Sequence, residues 1–469
     1  MLALDSILNE KVCVPFWNDY CKAIQSDLWL PNVTDFVDSD LNSLSISSLR
    51  TVEKSWFSIK ASIAPKENLY PTSYQSSMSS LVGFMECVST KIKSKKIRIY
   101  PNQEQRQILR KWFGTSRYVY NQTVEYLQEP DTIASWKSIK TDLIHSMPDW
   151  SNETPYQVRS VAIRDCCKAF SACKMKNKGQ HPDNWHRVKH RSRKSSKQSI
   201  YIPKAAITKN GIYPKYLGKI QLSEVLPDKI MDSRLTLENG RYFIVIPVEE
   251  STQQCENQAR VVALDPGVRT FQTFYNPEFS GMIGEGDMGR ITRLCTHLDA
   301  LISKRDKSSS KRKSRINKAI KRMRNKIHDL IDEIHHKTAR FLVDNFDVIL
   351  LPSFDVSDMV KSAKRKINSK TAKAMLTWAH YRFKCFLKSK CEEFNKVLLI
   401  VNEAYTSKTV SWNGRINYSL GGSKFVKDKD HCIPRDINGA RNIWVKSVSR
   451  ILETLGDSPS GTNTCALLT

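Results

Sequence analysis

The chain has 469 residues, a net charge of +27 and twelve cysteines. The length predicts two to four domains, and the charge predicts a polyanionic partner. The scattered cysteines do not match a secreted disulfide framework, which favours reduced thiols in an intracellular protein. With no apolar run of about 18 residues and no basic segment leading into an apolar core, the sequence predicts neither a transmembrane helix nor a signal peptide.

The first 90 residues are predicted to form a helical N-terminal extension. Apolar side chains recur at helix-like spacing over residues 43–59, and Tyr70 with Pro71 marks a turn. No motif in this extension indicates a function.

A small antiparallel β-barrel is predicted from two separate pieces of the chain. Residues 91–102 supply its first strand, which ends at Pro101. Residues 195–257 supply the others, as short β-branched runs broken by Asn-Gly hairpin signals at 210–211 and 239–240. Residues 103–194 read as helices inserted into the barrel, and their aromatic residues are interpreted as helix core rather than as base-stacking positions.

Residues 258–469 are predicted to form an α/β domain with five strands. The strands are expected at 261–265, 271–275, 279–283, 347–351 and 397–401. A basic helical hairpin is expected over 288–345, a helix over 371–394 and an amphipathic helix after 436. This β-β-β-α-β-α-β-α order is typical of the RNase H-like fold, whose sheet order is 3-2-1-4-5. The chain as a whole is predicted to be a multidomain α+β protein.

Three carboxylates lie at strand ends or at a helix start in this domain. Asp265 ends the first strand, Glu403 follows the fifth, and Asp436 is expected at a helix N-cap. Each acid alone is equally well explained as a turn residue or a cap. Three acids at the carboxyl edge of one sheet, however, can hold two divalent metals that clamp the oxygens of a phosphodiester displacement. Together, in a basic chain, they predict a nuclease centre.

Two basic runs are candidate nucleic-acid contacts. Residues 174–197 hold nine Lys or Arg against one acid, and residues 304–326 hold twelve against Asp306 alone. An isolated run is usually a solvated face, but these two flank the candidate catalytic strands, which favours phosphate contacts. Residues 311–315 also match a nuclear-import pattern. The predicted contacts are Arg187, Lys189, Arg191, Arg193, Lys304, Arg305, Lys311, Arg312, Lys313, Arg315, Lys318, Lys321 and Arg322.

The segments around the three acids resemble the RuvC-like nuclease domain of the Fanzor family. Fanzors are eukaryotic and viral relatives of TnpB, a transposon-encoded RNA-guided DNA endonuclease. The matching segments are DPGVRTF, EAYTSKT and RDINGARNI, in this order. Upstream, KKIRIYPNQEQRQILRKWFGTSRYVYNQTVEYL and TPYQVRSVAIRDCCKAFSA resemble the family's opening strand and recognition helices. The resemblance extends over residues 91–448.

The resemblance implies a monomeric ribonucleoprotein with a guide RNA, called omega RNA, that cuts double-stranded DNA beside a short flanking motif. Asp265, Glu403 and Asp436 would bind two Mg²⁺ ions and activate water. The barrel and its inserted helices would form the wedge and recognition module, which grips the guide RNA and reads the flanking motif. In a eukaryotic host the protein would be nuclear, and no membrane is implied.

The position of the glutamate departs from the common RuvC-like pattern. That pattern has a glutamate after the fourth strand, where this sequence has Pro352 and Ser353. Many Fanzors resemble a rearranged version with the acid in the EAYTS segment, which favours Glu403 over its rival, Asp355. Strand five lies about 4.8 Å beyond strand four, an offset that a glutamate side chain can cover.

Residues 405–434 also depart from the family, which carries a four-cysteine zinc ribbon here. Val410 and Asn413 stand at the first two ligand positions, and only His431 and Cys432 remain near the second pair. Because two adjacent ligands cannot enclose a tetrahedral ion, zinc is not expected. This degenerate subdomain has either decayed or folds by packing alone. The side chains that would then pack it are Trp412, Tyr418 and Phe425.

Two other functions stay open. A nuclease-inactive relative would bind RNA and DNA without cutting; the broken ribbon favours it and the intact acids disfavour it. A guide-free transposase or resolvase would use the same metal chemistry, and only the upstream resemblance disfavours it. Copurification of one structured RNA would exclude the guide-free nuclease, and a cleavage assay with that RNA would exclude the inactive relative.

Overall fold

The computed structural model describes residues 37–40, 58–63, 90–129, 132–208, 211–251, 260–354, 356–361, 367–418, 423–427 and 431–456. The chain divides into two compact units. The middle unit is Thr90–Glu250, and the terminal unit combines Met1–Ser89 with Ser251–Thr469. Among the described helices, none is long and apolar enough to cross a membrane. The protein is thus an α+β chain with several sheets, as predicted.

The described part of residues 1–90 is extended rather than helical. It consists of β1 (Val37–Asp40) and β2 (Ser58–Ile63), which pair antiparallel. The prediction of a helical extension is therefore wrong for these two segments. The rest of the helix predicted over 43–59 lies outside the described residues.

The middle unit is built on a five-stranded sheet of order β4-β8-β9-β3-β7. The strands of this unit are β3 (Thr90–Tyr100), β4 (Lys197–Ile202), β5 (Ile207–Thr208), β6 (Gly211–Ile212), β7 (Gln221–Leu222), β8 (Ser233–Glu238) and β9 (Arg241–Ser251). As predicted, the early strand β3 joins the later strands. Among the described strands, however, no pairing joins β4 to β7, so the sheet keeps two edges where a closed barrel was predicted.

Asn239 and Gly240 make the tight turn between β8 and β9. Both have positive φ, 46° and 87°, which is the backbone conformation that a two-residue hairpin requires and that Asn-Gly favours. The predicted hairpin is confirmed here. The other Asn-Gly signal lies between the paired strands β5 and β6, although Asn210 is outside the described residues.

The described residues of the middle unit also form four α-helices. They are α1 (Gln103–Tyr126), α2 (Trp136–His145), α3 (Tyr156–Asn177) and the single turn α4 (Pro214–Leu217). A capping box between Asn102 and Gln105 begins α1. Trp112 and Phe113 on α1 are buried, which confirms them as helix core.

The terminal unit is built on a seven-stranded sheet of order β1-β2-β12-β11-β10-β13-β14. Its remaining strands are β10 (Val261–Pro266), β11 (Gln272–Asn276), β12 (Phe279–Ile283), β13 (Val348–Pro352) and β14 (Val397–Val401). These five follow the predicted 3-2-1-4-5 order, and β10, β13 and β14 are parallel. The sequence did not indicate that β2 would extend the sheet beyond β12.

Helices cover the sheet of the terminal unit. They are α5 (Asp287–Asp306), α6 (Ser310–Asn345), α7 (Val356–Val360), α8 (Ser369–Trp378), α9 (His380–Glu393) and α10 (Arg435–Gly456). The helical hairpin predicted over 288–345 is confirmed as α5 and α6. The single helix predicted over 371–394 is interrupted, because Ala379 adopts a left-handed conformation with φ 54°.

The degenerate subdomain contains a short hairpin of β15 (Phe425–Lys427) and β16 (Cys432–Pro434). Val410 and Val426 are buried together, with Trp412 packed against them. The valine at the first lost ligand position therefore contributes to an apolar core. Tyr418 is 73% exposed, so its predicted place in this core is wrong.

Candidate active site

Asp265 lies near the end of β10, the central strand of the five predicted strands. The preceding residues of β10 are buried, whereas Asp265 is half-buried. Because β10, β13 and β14 are parallel, their carboxyl ends meet at one edge of the sheet, the usual position of ligand sites in such sheets. Asp265 therefore stands at the edge where chemistry is expected.

The loop after Asp265 is held by residues that sequence reasoning missed. The Nε2 atom of buried His380 donates to the carbonyl oxygen of Gly267 at 3.2 Å, and Trp378 Nε1 donates to that of Val268 at 3.0 Å. Both donors flank the left-handed Ala379, so the break between α8 and α9 aims them at this loop. No pattern in the sequence indicated these contacts.

Asp436 approaches Asp265 because α10 packs closely against β10. Helix α10 begins at Arg435, so Asp436 lies in its first turn rather than at the predicted N-cap. At Gly439, one turn later, a Cβ atom would lie 2.5 Å from Asp265 Oδ2. A larger residue at this position would push the Asp265 carboxylate away from α10. The available signal was a glycine inside an otherwise helical pattern.

Glu403 follows β14 in a half-buried loop over residues 402–411. Side chains of α10 hold this loop through its backbone. Asn438 accepts from Ser411 N at 2.9 Å and donates to Thr409 O at 2.8 Å. The same helix thus carries one acid and positions the segment that carries another.

Further side chains of α10 add to the hold on the loop. Asn442 Nδ2 donates to the carbonyl oxygens of Thr406 and Thr409, at 2.9 and 2.6 Å. Lys446 Nζ donates to Ala404 O, the residue after Glu403, at 3.1 Å. Asn442 is fully buried, so its loss would leave backbone carbonyl groups unpaired. Asn438 and Asn442 of the RDINGARNI motif are therefore structural supports for the glutamate loop.

Asp436 and Glu403 each lie within electrostatic range of Asp265. Burial, Asp436 and Glu403 together raise the pKa of Asp265 well above its usual value, and Arg435 only partly offsets them. Burial also raises the pKa of Asp436, against the opposing effects of Arg435 and Arg269. The structure brings the three predicted site residues together, and the cluster resists ionisation unless a cation compensates it.

The donor set fits divalent metal ions in its chemistry. Carboxylate oxygens are the ligands that Mg²⁺ prefers, and Mg²⁺ is commonly held by one or two carboxylates with water and substrate phosphates. Within the described ranges, no three His, Cys, Asp or Glu side chains are arranged to hold a metal ion together.

The residues at the former zinc-ligand positions lie apart from this geometry. Asp355 lies outside the described residues. Pro352 ends β13, and Ser353 N donates to Val401 O at 3.1 Å, so no acid occupies the common position at this strand end. His431 packs its ring against Trp412, with centroids 5.5 Å apart, and Cys432 is a free thiol.

The predicted nucleic-acid contacts lie in both units. Those from Lys304 to Arg322 lie at the end of α5 and the start of α6, where all except Arg305 are exposed. Those from Arg187 to Arg193 lie in the middle unit before β4. In that group Arg191 is only partly exposed. Its guanidinium carbon lies 3.7 Å from the Tyr120 ring centroid, and its Nη2 donates to Asp165 Oδ2 at 3.4 Å.

Two family models match separate parts of the chain. A helix-turn-helix domain model named for OrfB of IS605 matches residues 90–130. A model of the Cas12f1-like TNB domain matches residues 380–443, which include Glu403 and Asp436.

Several curated proteins are similar over most of this chain. "Putative transposase A625R" of Paramecium bursaria Chlorella virus 1 is 27% identical over 395 residues, covering 77% of this chain and 90% of the relative. TnpB-like protein L79 of Acanthamoeba polyphaga mimivirus is 24% identical and covers 75% and 72%. A "Putative RNA-guided DNA endonuclease" of Streptomyces pristinaespiralis is 24% identical and covers 74% and 87%.

Solved structures were also matched. One is the Cas12f1-sgRNA-target DNA complex, with 11% identity, a TM-score of 0.43, and coverage of 76% of this chain and 98% of that one. Another is the mini-RNA-guided endonuclease CRISPR-Cas_phi3, with 9% identity, a TM-score of 0.40, and coverage of 82% and 98%. From the family models and the curated relatives, this chain carries IS605/TnpB-family and Cas12f-like domains and has viral TnpB-like homologues.

Proposed function

We propose that this protein is a Fanzor-type, RNA-guided DNA endonuclease with a RuvC-like centre of Asp265, Glu403 and Asp436. One observation carries the proposal: three acids from two strand ends and a helix start meet in a cluster where burial and mutual repulsion raise the pKa of Asp265. The relative from Streptomyces pristinaespiralis, named a "Putative RNA-guided DNA endonuclease", supports the reaction class.

In this proposal the protein contributes a rigid set of acidic ligands. Bound Mg²⁺ ions would supply Lewis acidity and an activated water at neutral pH. Asp265 is held on the central strand, Asp436 in the first turn of α10, and Glu403 on the loop that Asn438 and Asn442 fix. Guide pairing reads the target, while the protein holds the heteroduplex by shape and backbone charge.

The remaining partners follow from the same family proposal. The guide is an omega RNA, the target is double-stranded DNA beside a short motif, and the particle is a monomeric ribonucleoprotein. In a eukaryotic host it acts in the nucleus. Zinc takes no part, because Val410 occupies a former ligand position as part of an apolar core.

A nuclease-inactive relative that binds RNA and DNA is the second candidate. The observation that favours it is the spacing of the acids, since no three metal-binding side chains in the described part of the chain are arranged around one ion. The intact Asp265, Glu403 and Asp436 are shared by both candidates, so only an activity measurement separates them.

The decisive experiment uses the full chain purified with its copurifying RNA. We expect one discrete RNA, and cutting of matched double-stranded DNA with Mg²⁺. Asp265→Asn should abolish cutting but keep RNA and DNA binding, whereas Asp299→Asn on the exposed face of α5 should cut normally. Binding without cutting by the wild-type protein would support the inactive relative, and DNA cutting without any RNA would support a guide-free nuclease.

A further inference from the structure

A polar cleft of about 370 Å³ lies in the middle unit, between α1, the segment before β4 and β4 itself. Phe113 supplies an aromatic ring to its lining, and Arg117, Arg191 and Lys197 supply positive charge. Four serines and Gln198 add hydrogen-bonding groups, and no Asp or Glu is among the described residues that line it. Its volume lies in the range of small-molecule sites.

Arg117 is the least compensated cation of this cleft. Its Nη1 atom donates to Gln198 Oε1 at 3.3 Å, a neutral partner. Burial and the neighbouring positive charge of Arg193 lower the pKa of Arg117. Among the described residues, no carboxylate forms an ion pair with Arg117 or Arg193. Two neighbouring guanidinium groups without a carboxylate favour a bound anion.

The wall of the cleft is anchored rather than loose. Asn121 on α1 donates to Arg191 O at 3.1 Å and accepts from Arg191 N at 2.7 Å. The Arg191 guanidinium lies over the Tyr120 ring and shares Asp165 with Arg234. Since one carboxylate faces two guanidinium groups, positive charge remains in excess beside the cleft.

We propose that this cleft binds a single unpaired nucleotide of an RNA strand. Arg117 holds its phosphate, with the charge of nearby Arg193 adding to the attraction, while Gln198 and the serine hydroxyls bond the sugar and the base edge. The volume exceeds what a phosphate alone needs, and a base inside a duplex cannot enter such a cleft. Hydroxyl and amide groups suit the 2′-hydroxyl, which distinguishes RNA from DNA. The choice of RNA rests on the proposed function.

The test compares full-length wild-type protein with Arg117→Gln and with Arg110→Gln, which removes an exposed arginine from the same helix. The probes are a fluorescent single-stranded RNA of arbitrary sequence, the same sequence as DNA, and a nucleoside 5′-monophosphate beside inorganic phosphate. Arg117→Gln should weaken RNA binding about tenfold and reduce its salt slope by about 0.7, the values for one charged hydrogen bond and one single-strand phosphate contact. Thermal unfolding checks that both variants are folded.

Three results would overturn the inference. Equal losses in both arginine variants would mean that only the general positive field matters. Inorganic phosphate binding as tightly as the monophosphate would reduce the cleft to a phosphate site, and DNA binding as tightly as RNA would remove the sugar preference. If Arg117→Gln does not fold, the wild-type protein is tested instead, by adding the nucleoside monophosphate to compete with bound RNA. A monophosphate that fails to displace RNA would contradict the proposal. None of these readouts needs DNA cutting, so failure of the nuclease proposal would be seen separately.

Discussion

The two ends of the sheet in the terminal unit differ in how their charged side chains are paired. At the amino ends of β13 and β14, Asp347 and Lys396 form an ion pair of 2.6 Å with both side chains 4% exposed. Asp347 Oδ2 also accepts from Arg260 N at 3.1 Å, so the carboxylate is well satisfied. At the carboxyl ends, Asp436 and Glu403 both repel Asp265, and Arg435 offsets them only in part.

The difference separates charge that stabilises the fold from charge that is available to a ligand. A buried pair with complete hydrogen bonding needs nothing further from solution. A cluster of like charges destabilises the free protein until a counter-ion binds, and such frustration is typical of functional sites. The cleft around Arg117 repeats this pattern with positive charge in the other unit.

The largest expected effect is the loss of cutting at the acidic end. Glu403→Gln should reduce the rate of DNA cutting about a thousandfold or more, because losing a metal ligand removes several kcal/mol of transition-state stabilisation. The measurement is single-turnover cutting with saturating guide RNA. Asp355→Asn and Glu393→Gln serve as controls and should cut at nearly the wild-type rate. An inactive Asp355 variant beside an active Glu403 variant would place the third acid after β13.

The paired end should respond in stability instead. Asp347→Asn leaves the Lys396 ammonium buried without its partner, which should lower the free energy of unfolding by about 3–5 kcal/mol. Urea unfolding measures this. The double variant Asp347→Leu with Lys396→Met should recover most of the loss, since an apolar pair of similar volume is often neutral. A loss below about 1 kcal/mol in Asp347→Asn would contradict the contrast between the two ends.

Acid should destabilise the terminal unit through two buried histidines. Burial lowers the pKa of His335 and of His380 from 6.5 to about 4. Between these values the unfolded chain binds more protons, so stability falls as pH falls from about 6.5 to 4, by about 1.4 kcal/mol per pH unit for each histidine. Urea unfolding across this range measures the slope.

Matched variants sharpen the pH prediction. His380→Gln keeps a donor for Gly267 O and should reduce the acid slope by one histidine's share, whereas His297→Gln on the exposed face of α5 should not change it. The acidic cluster has the opposite sign. Because the pKa of Asp265 is raised in the folded state, that state binds the proton more tightly, and stability falls as pH rises from the ordinary Asp value toward the raised one. An unchanged acid slope in His380→Gln would contradict the buried neutral state.

A smaller effect is expected from the exposed basic hairpin. Neutralising Lys311, Arg312, Lys313 and Arg315 should weaken duplex binding equally for all guide sequences and lower the salt slope by about 0.7 to 0.9 per lost phosphate contact. Sequence choice should stay the same, because base pairing specifies the target. Unchanged affinity together with loss of nuclear accumulation would identify the run as an import signal.

The smallest expected signal is zinc. Elemental analysis of the purified protein should find well under one equivalent, and Cys432→Ser should leave stability unchanged, because Val410 and Asn413 replace two thiolate ligands. Stoichiometric zinc that is lost in Cys432→Ser would contradict this expectation.

The local hydrophobic pattern of the sequence was sufficient to predict strands β10 to β14 of the terminal unit. The apolar runs at 261–265 and 397–401 became β10 and β14 within a residue, because short buried strands bounded by turn signals have few alternatives. The break at Ala379 and the addition of β1 and β2 to the sheet could not be read in this way. Both depend on contacts with residues distant in the sequence, and local propensity and hydrophobic periodicity carry no information about such contacts.

The sequence by itself determined which acids are available, the order of the strands that present them, and the excess of positive charge, because these follow from residue types and short-range periodicity. Only the tertiary structure decided how the acids meet. Gly439 lets α10 reach Asp265, and Asn438 with Asn442 fixes the loop of Glu403. It also decided that Arg117 lines a cleft without a carboxylate partner among the described residues. Such contacts join residues far apart in the chain, and their energies exist only after the chain has folded.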